Sequence, residues 1–372
     1  MSNTQKKNVP ELRFPEFEGE WEEKQLGNII KVNSGKDYKH LDKGDIPVYG
    51  TGGYMTSVSE LLSEIDAVGI GRKGTINKPY LLEAPFWTVD TLFYCTPKKE
   101  TDILFILSLF RKINWKVYDE STGVPSLSKQ TINKINRFVP TNKEQQKIGK
   151  FFSKLDRQIE LEEQKLELLQ QQKKGYMQKI FSQELRFKDE NGNDYPDWTN
   201  ERLGEVTTVT MGQSPKSVNY TDNSNDTVLI QGNADIENGL INPRIYTREV
   251  TKLIQKDEII LTVRAPVGKL AMAQINACIG RGVCSIKGDK FLYYFLEWFA
   301  TQNKWIRFSQ GSTFESISGN DIRNIHIKIP VEDERTKIIK LLNSLDVLNS
   351  KTDLKIQNLK QRKQSLLQKI FV

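Results

Sequence analysis

The sequence is poor in the residues that carry catalysis. Among 372 residues there are two histidines, His40 and His326, and three cysteines, Cys95, Cys278 and Cys284. The cysteines are odd in number and lack zinc-like spacing, which suits reduced or buried thiols and excludes a disulfide framework. Neither histidine sits in a motif that names a mechanism, and no His/Cys/Asp grouping is spaced to hold a metal. His326, in the run Ile325-His326-Ile327-Lys328-Ile329, reads as an outward strand residue. There is no G-x-x-x-x-G-K-[ST] loop for ATP, and no Asn-Pro-Pro-aromatic or Asp-Pro-Pro-aromatic tetrapeptide to hold a target base. No apolar run approaches the roughly 18 residues that span a bilayer, and the N-terminal stretch has no apolar segment of the secretory kind. A cytoplasmic binding protein with no membrane contact is expected. Acidic residues are also outnumbered: Lys+Arg 54 against Asp+Glu 47 gives a net charge of +7 and a pI near 9.0, which favours a polyanionic partner.

What is present is a repeat. Gln178-Lys179-Ile180-Phe181 returns as Gln368-Lys369-Ile370-Phe371, and at the same offset Pro140 falls on Pro330, Glu144 on Glu334, Lys147-Ile148 on Lys337-Ile338 and Leu155-Asp156 on Leu345-Asp346. A second echo pairs Glu11-Leu12-Arg13-Phe14 with Glu184-Leu185-Arg186-Phe187, and Trp21–Gly27 answers Trp198–Gly204. The unit is a whole domain plus a helix, too long for a solenoid repeat of about 20 to 50 residues. Because the Glu-Leu-Arg-Phe segment follows the first helix but stands near the N-terminus for the second, the chain reads as a circle cut once. Residues 14 and 371 are then expected to be neighbours.

Apolar residues at alternating steps of four and three mark two helices of roughly 40 residues, hence about 60 Å each. The first seam is Ile148, Phe152, Leu155, Ile159, Leu166, Leu169, Tyr176 and Ile180, and the second is Ile338, Leu342, Leu345, Ile356, Leu359, Leu366 and Ile370. Two such helices most simply pair with each other as a coiled coil. In an antiparallel register with full overlap, Ile148 meets Ile370 and Ile180 meets Ile338. The seam is interrupted by Glu162 and Thr352 and by Lys173 and Lys363. In that register Lys173 lies beside Asp346 and Lys363 beside Asp156. Glu144 and Glu334, in the first turns, suit the positive end of the helix dipole.

The blocks between the helices alternate short β-type runs (Ile46–Tyr49, Leu92–Tyr94, Thr227–Ile230, Glu258–Val263) with Gly, Asn, Asp and Pro clusters, and each carries one helix, at Asp102–Lys112 and Lys290–Asn303. The expected organisation is a mixed α/β protein: a globular domain over 1–140, a spacer helix over 141–184, a second domain over 185–330 and a C-terminal helix over 331–372. Gly69-Ile70-Gly71-Arg72-Lys73-Gly74 matches the dinucleotide fingerprint but opens no helix, since Pro79 and β-branched residues follow. It fits a glycine-rich hairpin presenting Arg72 and Lys73, with Lys78 close behind. The second block carries Arg264 and Lys269 on a comparable turn, and Arg281 beyond it. Such side chains can reach phosphates or guanine edges, although a solvated turn would look the same. Ser126 and Ser128, with Ser316 and Ser318 in the run Ser312–Ser318, stand ready to contact phosphate or merely to cap a turn.

Two divergent blocks, each followed by a similar helix opening with Glu144-Gln145-Gln146-Lys147-Ile148 or Glu334-Arg335-Thr336-Lys337-Ile338, make the chain resemble the DNA-specificity subunits of type I restriction-modification enzymes. The resemblance covers nearly the whole chain. It implies that each block is a target-recognition domain reading one half of a split, asymmetric site in double-stranded DNA; the pseudo-twofold symmetry expected of the chain comes from the circular reading with antiparallel helices. The chain itself would be non-catalytic and would carry no cofactor. Two methyltransferase subunits would dock on the helices and methylate adenine N6 with S-adenosylmethionine, and two restriction subunits would use ATP and Mg. Read from the residues alone, a coiled-coil scaffold with protein-binding domains is the alternative.

Overall fold

The computed structural model describes residues 8–305 and 316–372; Ser312, Thr313, Phe314 and Glu315 lie outside them. Long helices form where the apolar spacing places them, at Asn142–Phe181 and Glu332–Ile370. The chain divides into two compact units, and these are not consecutive segments. Residues up to Gln164 join Asp353–Val372, while Lys165–Thr352 make the second unit. Each unit is a globular block with the start of the helix that follows it and the end of the other helix.

Within each unit the two helix segments run antiparallel. In the first, Lys360 meets Glu163 at 2.6 Å, Lys355 meets Glu162 and Lys363 meets Asp156, and Ile148, Phe152, Leu367, Ile370 and Phe371 share one core. In the second, Lys173 meets Asp346 at 2.7 Å, and Met177, Ile180, Ile338, Leu342 and Leu345 share another. The full-overlap register therefore holds inside both. The seam departs from expectation near each helix end, where Met177 and Leu367 are buried and Tyr176 and Leu366 only partly so. There the helix faces the block as well as its partner helix, so its apolar stripe is wider than a two-helix seam. Ile159 and Ile356 are buried, while Leu155, Leu166, Leu169 and Leu359 are half-buried.

The interrupting residues are satisfied in different ways. Thr352 donates its hydroxyl to the Leu348 carbonyl at 2.9 Å. Lys173 is bound by two carboxylates, Asp346 and Glu297, both at 2.7 Å, and Tyr294 donates to Asp346. In the first unit the balance is reversed, because Lys363 and Arg111 share the single carboxylate of Asp156. Burial raises the Glu297 carboxyl, partly offset by Lys173; burial, with help from Arg111, lowers Lys363. A double-mutant cycle crossing Lys173→Met with Asp346→Asn should give a coupling of about 0.5 to 3 kcal/mol in urea unfolding of the full chain, and no coupling would contradict this register.

Glu144 and Glu334 are 1% and 0% exposed, and they do more than face a dipole. Glu144 accepts from the Arg13 guanidinium (2.8 and 2.7 Å) and the Trp21 indole (3.3 Å); Glu334 accepts from Arg186 (2.8 Å twice), Trp198 (2.9 Å) and the Phe187 amide (3.2 Å). Each carboxylate thus pins the segment that leads into its block. The Leu185 amide donates to the Lys179 carbonyl at 3.0 Å, and the Leu12 amide donates to the Lys369 carbonyl at the same distance. Trp21 also packs edge-on to Phe371. The junction made by continuous chain after Phe181 is remade at Phe371 by the N-terminal segment, as the circular reading expects.

The first block holds a four-stranded sheet in the order Ile30–Ser34, Leu92–Pro97, Ala67–Gly71, Tyr80–Leu82, and a three-stranded one built on Lys43–Gly50. The second block repeats the four-stranded order and extends it by Leu240–Ile241 and Ile236–Glu237. The longest described helix of each block, Ile103–Lys112 or Lys290–Thr301, is capped by Asp102 or Asp289. The expectation of one helix per block is too few, since short helices also form at Leu26–Ile29 and Lys129–Lys134 and at Leu203–Val206 and Gly319–Arg323. The fold is mixed α/β. Among the described residues no helix is long and apolar enough to cross a membrane.

Candidate nucleic-acid interface

One backbone framework recurs at the same edge of both blocks. The Arg72 amide donates to Thr91, the Leu127 amide to Arg72, the Lys36 amide to Thr88 and the Val89 amide to Tyr49. In the second block the Val263 amide donates to Gly282, the Ile317 amide to Val263, the Gln213 amide to Ile279 and the Gly280 amide to Ile230. Each bond has its counterpart. Isolated bridges join Lys73 to Ser126 and Arg264 to Ser316. Glycine is required where the first strand enters this framework, since a Cβ on Gly35 would lie 2.0 Å from the Val89 carbonyl and one on Gly212 would lie 2.1 Å from the Gly280 carbonyl.

This correspondence aligns Lys73, not Arg72, with Arg264. It also brings together the basic turn and the serine segment that stand far apart in the sequence. In the second block Arg264 and Arg281 line one small cleft of about 180 Å³ with Ser214, Gln231, Gly232 and Asn233. Both arginines are exposed, and Ser214 accepts from the Arg281 amide at 3.1 Å. In the first block Arg72 lies over the Phe93 ring at 5.8 Å and donates to the Asp90 carbonyl at 3.5 Å. Lys73 and Lys78 are exposed.

Other expected contacts are used internally. The Lys269 ammonium donates to the carbonyls of Asn233 (3.2 Å) and Ile236 (2.5 Å), so it tethers the loop that lines the cleft. Ser128 and Ser318 are N-caps, accepting from Thr131 and Asp321 and donating to Glu120 (2.8 Å) and Asp321 (2.6 Å) respectively. The capping role, one of the two open in the sequence, accounts for both hydroxyls. Ser126 and Ser316 remain at the bridges to the basic turn. Gln231, Asn233 and Asp90 carried no sequence signal, because only the backbone framework reveals their place.

The fingerprint-like Gly69–Gly74 run sits on a buried strand and the turn after it, with no helix behind. His326 is an exposed strand residue. The cysteines are buried, with Cys284 pushed up to about 12 by burial. Among the described residues no group of His, Cys, Asp and Glu is placed to hold a metal.

Comparison with known proteins gives this interface its context. The model of the type I restriction modification DNA specificity domain matches residues 18–171 and again 195–361. A provisionally named MjaX type I restriction enzyme specificity subunit from Methanocaldococcus jannaschii is 30% identical over 261 residues, which is 66% of this chain and 61% of that relative's length. The MjaVIII type I restriction enzyme specificity subunit of the same organism is 24% identical over 92% of this chain and 89% of its own. Among solved structures, the S subunit of a type I restriction-modification system from M. genitalium shares the fold with a TM-score of 0.69 at 16% identity, covering 98% of this chain and 99% of its own. A chain from a structure on complex assembly and conformational transition of the type I R-M system does so with a TM-score of 0.59 at 19% identity, covering 94% and 97%. Two matched domains, each followed by its long helix, establish that the chain belongs to the type I restriction modification DNA specificity family.

Proposed function

We propose that this chain is the DNA-reading subunit of a type I restriction-modification complex, with each unit reading one half of a bipartite, asymmetric target. The observation that carries the reading is the repeated framework: identical backbone bonds hold different side chains at equivalent places, which is what two readers of two different sequences require. Two modest specificities then multiply, and the stiff helices fix the distance between half-sites. Chemistry belongs to partners: two methyltransferase subunits docked on the helices, using S-adenosylmethionine on adenine N6, and two restriction subunits using ATP and Mg. This chain contributes recognition and spacing.

The assembled complex should enrich, from a random double-stranded DNA pool, sequences with two fixed blocks separated by an unspecified gap of constant length. Enrichment of one block, or of none, would contradict the proposal.

A further inference from the structure

The shared framework fixes which residues occupy equivalent places around the cleft. The bonds Arg72 to Thr91 and Val263 to Gly282, with the strand pairs Gly71 to Leu92 and Thr262 to Val283, put Asp90 where the second unit has Arg281. By the same bonds Lys73 answers Arg264, Asp37 answers Ser214 and Gly50 answers Gln231. The second cleft therefore presents two arginines and no acid, while the equivalent positions of the first block hold one lysine and two aspartates.

We infer that Arg281 reads a guanine in the half-site taken by the second unit, and that Asp90 bars guanine from the equivalent position of the other half. The inference rests on the DNA-reading function above. In the major groove guanine offers two acceptors, N7 and O6, which a guanidinium meets with two parallel N–H donors. A carboxylate in the same place repels those acceptors and accepts instead from an exocyclic amino group, so the two clefts select against each other's bases. Arg281 is exposed for such a contact, on a backbone held by the Ser214 hydroxyl and the Gly280 amide bond to Ile230 (2.8 Å). Arg72, the other cation beside Asp90, is held against Phe93.

The test sequences the DNA that the assembled complex selects from a random pool. Arg281→Ala should lose a guanine preference at one position of one block, lowering discrimination there by about 5- to 150-fold, with the other block intact. Arg281→Lys should retain affinity with a weaker guanine preference, because an ammonium can reach N7 and O6 but lacks the rigid planar fork that meets both at once. Asp90→Ala should admit guanine at a position of the other block that excludes it. The inference is overturned if the Arg281→Ala pool keeps every preference of the parent protein, if the lost preference is not for guanine, or if both alanine variants act on the same block. A parent pool without two blocks would overturn the DNA-reading function itself, and this inference with it.

Discussion

Replacing Glu334 by alanine should destabilise the second unit by about 3 to 5 kcal/mol, the cost of breaking a buried ion pair from one side. The carboxylate is fully buried and accepts from three groups at once: Arg186, the Trp198 indole and the Phe187 amide. Alanine leaves the buried indole without an acceptor, which costs about 1 to 3 kcal/mol, and the half-buried amide loses its acceptor as well. Glu334→Gln keeps one acceptor and should lose less. The measurement is urea unfolding of the full chain followed by two probes, since a molecule of two units need not unfold in one step. Glu144→Ala should act alike on the first unit through Arg13 and Trp21. A change below about 1 kcal/mol in either would show that these carboxylates do not hold the junctions.

DNA affinity should fall steeply with salt. A subunit contacting 6 to 10 phosphates loses about 10³- to 10⁵-fold in affinity between 50 and 200 mM salt, because each contact releases condensed counterions. The net charge of +7 and the exposed Lys73, Lys78, Arg264 and Arg281 supply cations for such contacts. Fluorescence anisotropy titrations at several salt concentrations give the slope directly. A nearly flat dependence would favour the scaffold reading, in which the blocks bind protein.

The helices and their register were legible in the sequence because a period of four and three survives any divergence that keeps the seam apolar. Lys173 beside Asp346 and Lys363 beside Asp156 followed from that period together with an antiparallel pairing of full overlap. Glu144 and Glu334 were visible as a repeat, but their role was not, since Arg13 and Trp21, or Arg186 and Trp198, lie more than a hundred positions away. Met177 and Leu367 were missed because a two-helix seam takes no account of the block packed on its flank.

The interface was less legible still. Arg264 and Arg281 were singled out by residue type, and the fold brings them to one cleft. Lys269 had the same appearance but is bound to carbonyls, a use that charge cannot reveal. The equivalence of Asp90 with Arg281 is absent from the letters, because the flanking residues differ in nearly every place and only backbone hydrogen bonds preserve the alignment. Elements fixed by local periodicity could be read from the chain; positions fixed by long-range pairing could not.

The claim that matters most is that the two units read independently. Its direct test replaces residues 12 to 140 with the corresponding domain of a relative of different specificity and sequences the methylated positions in cells carrying the hybrid with its methyltransferase. One half of the methylated site should change while the other half and the gap stay as they were. If both halves change together, or the untouched half is lost, the target is not read as two separable halves.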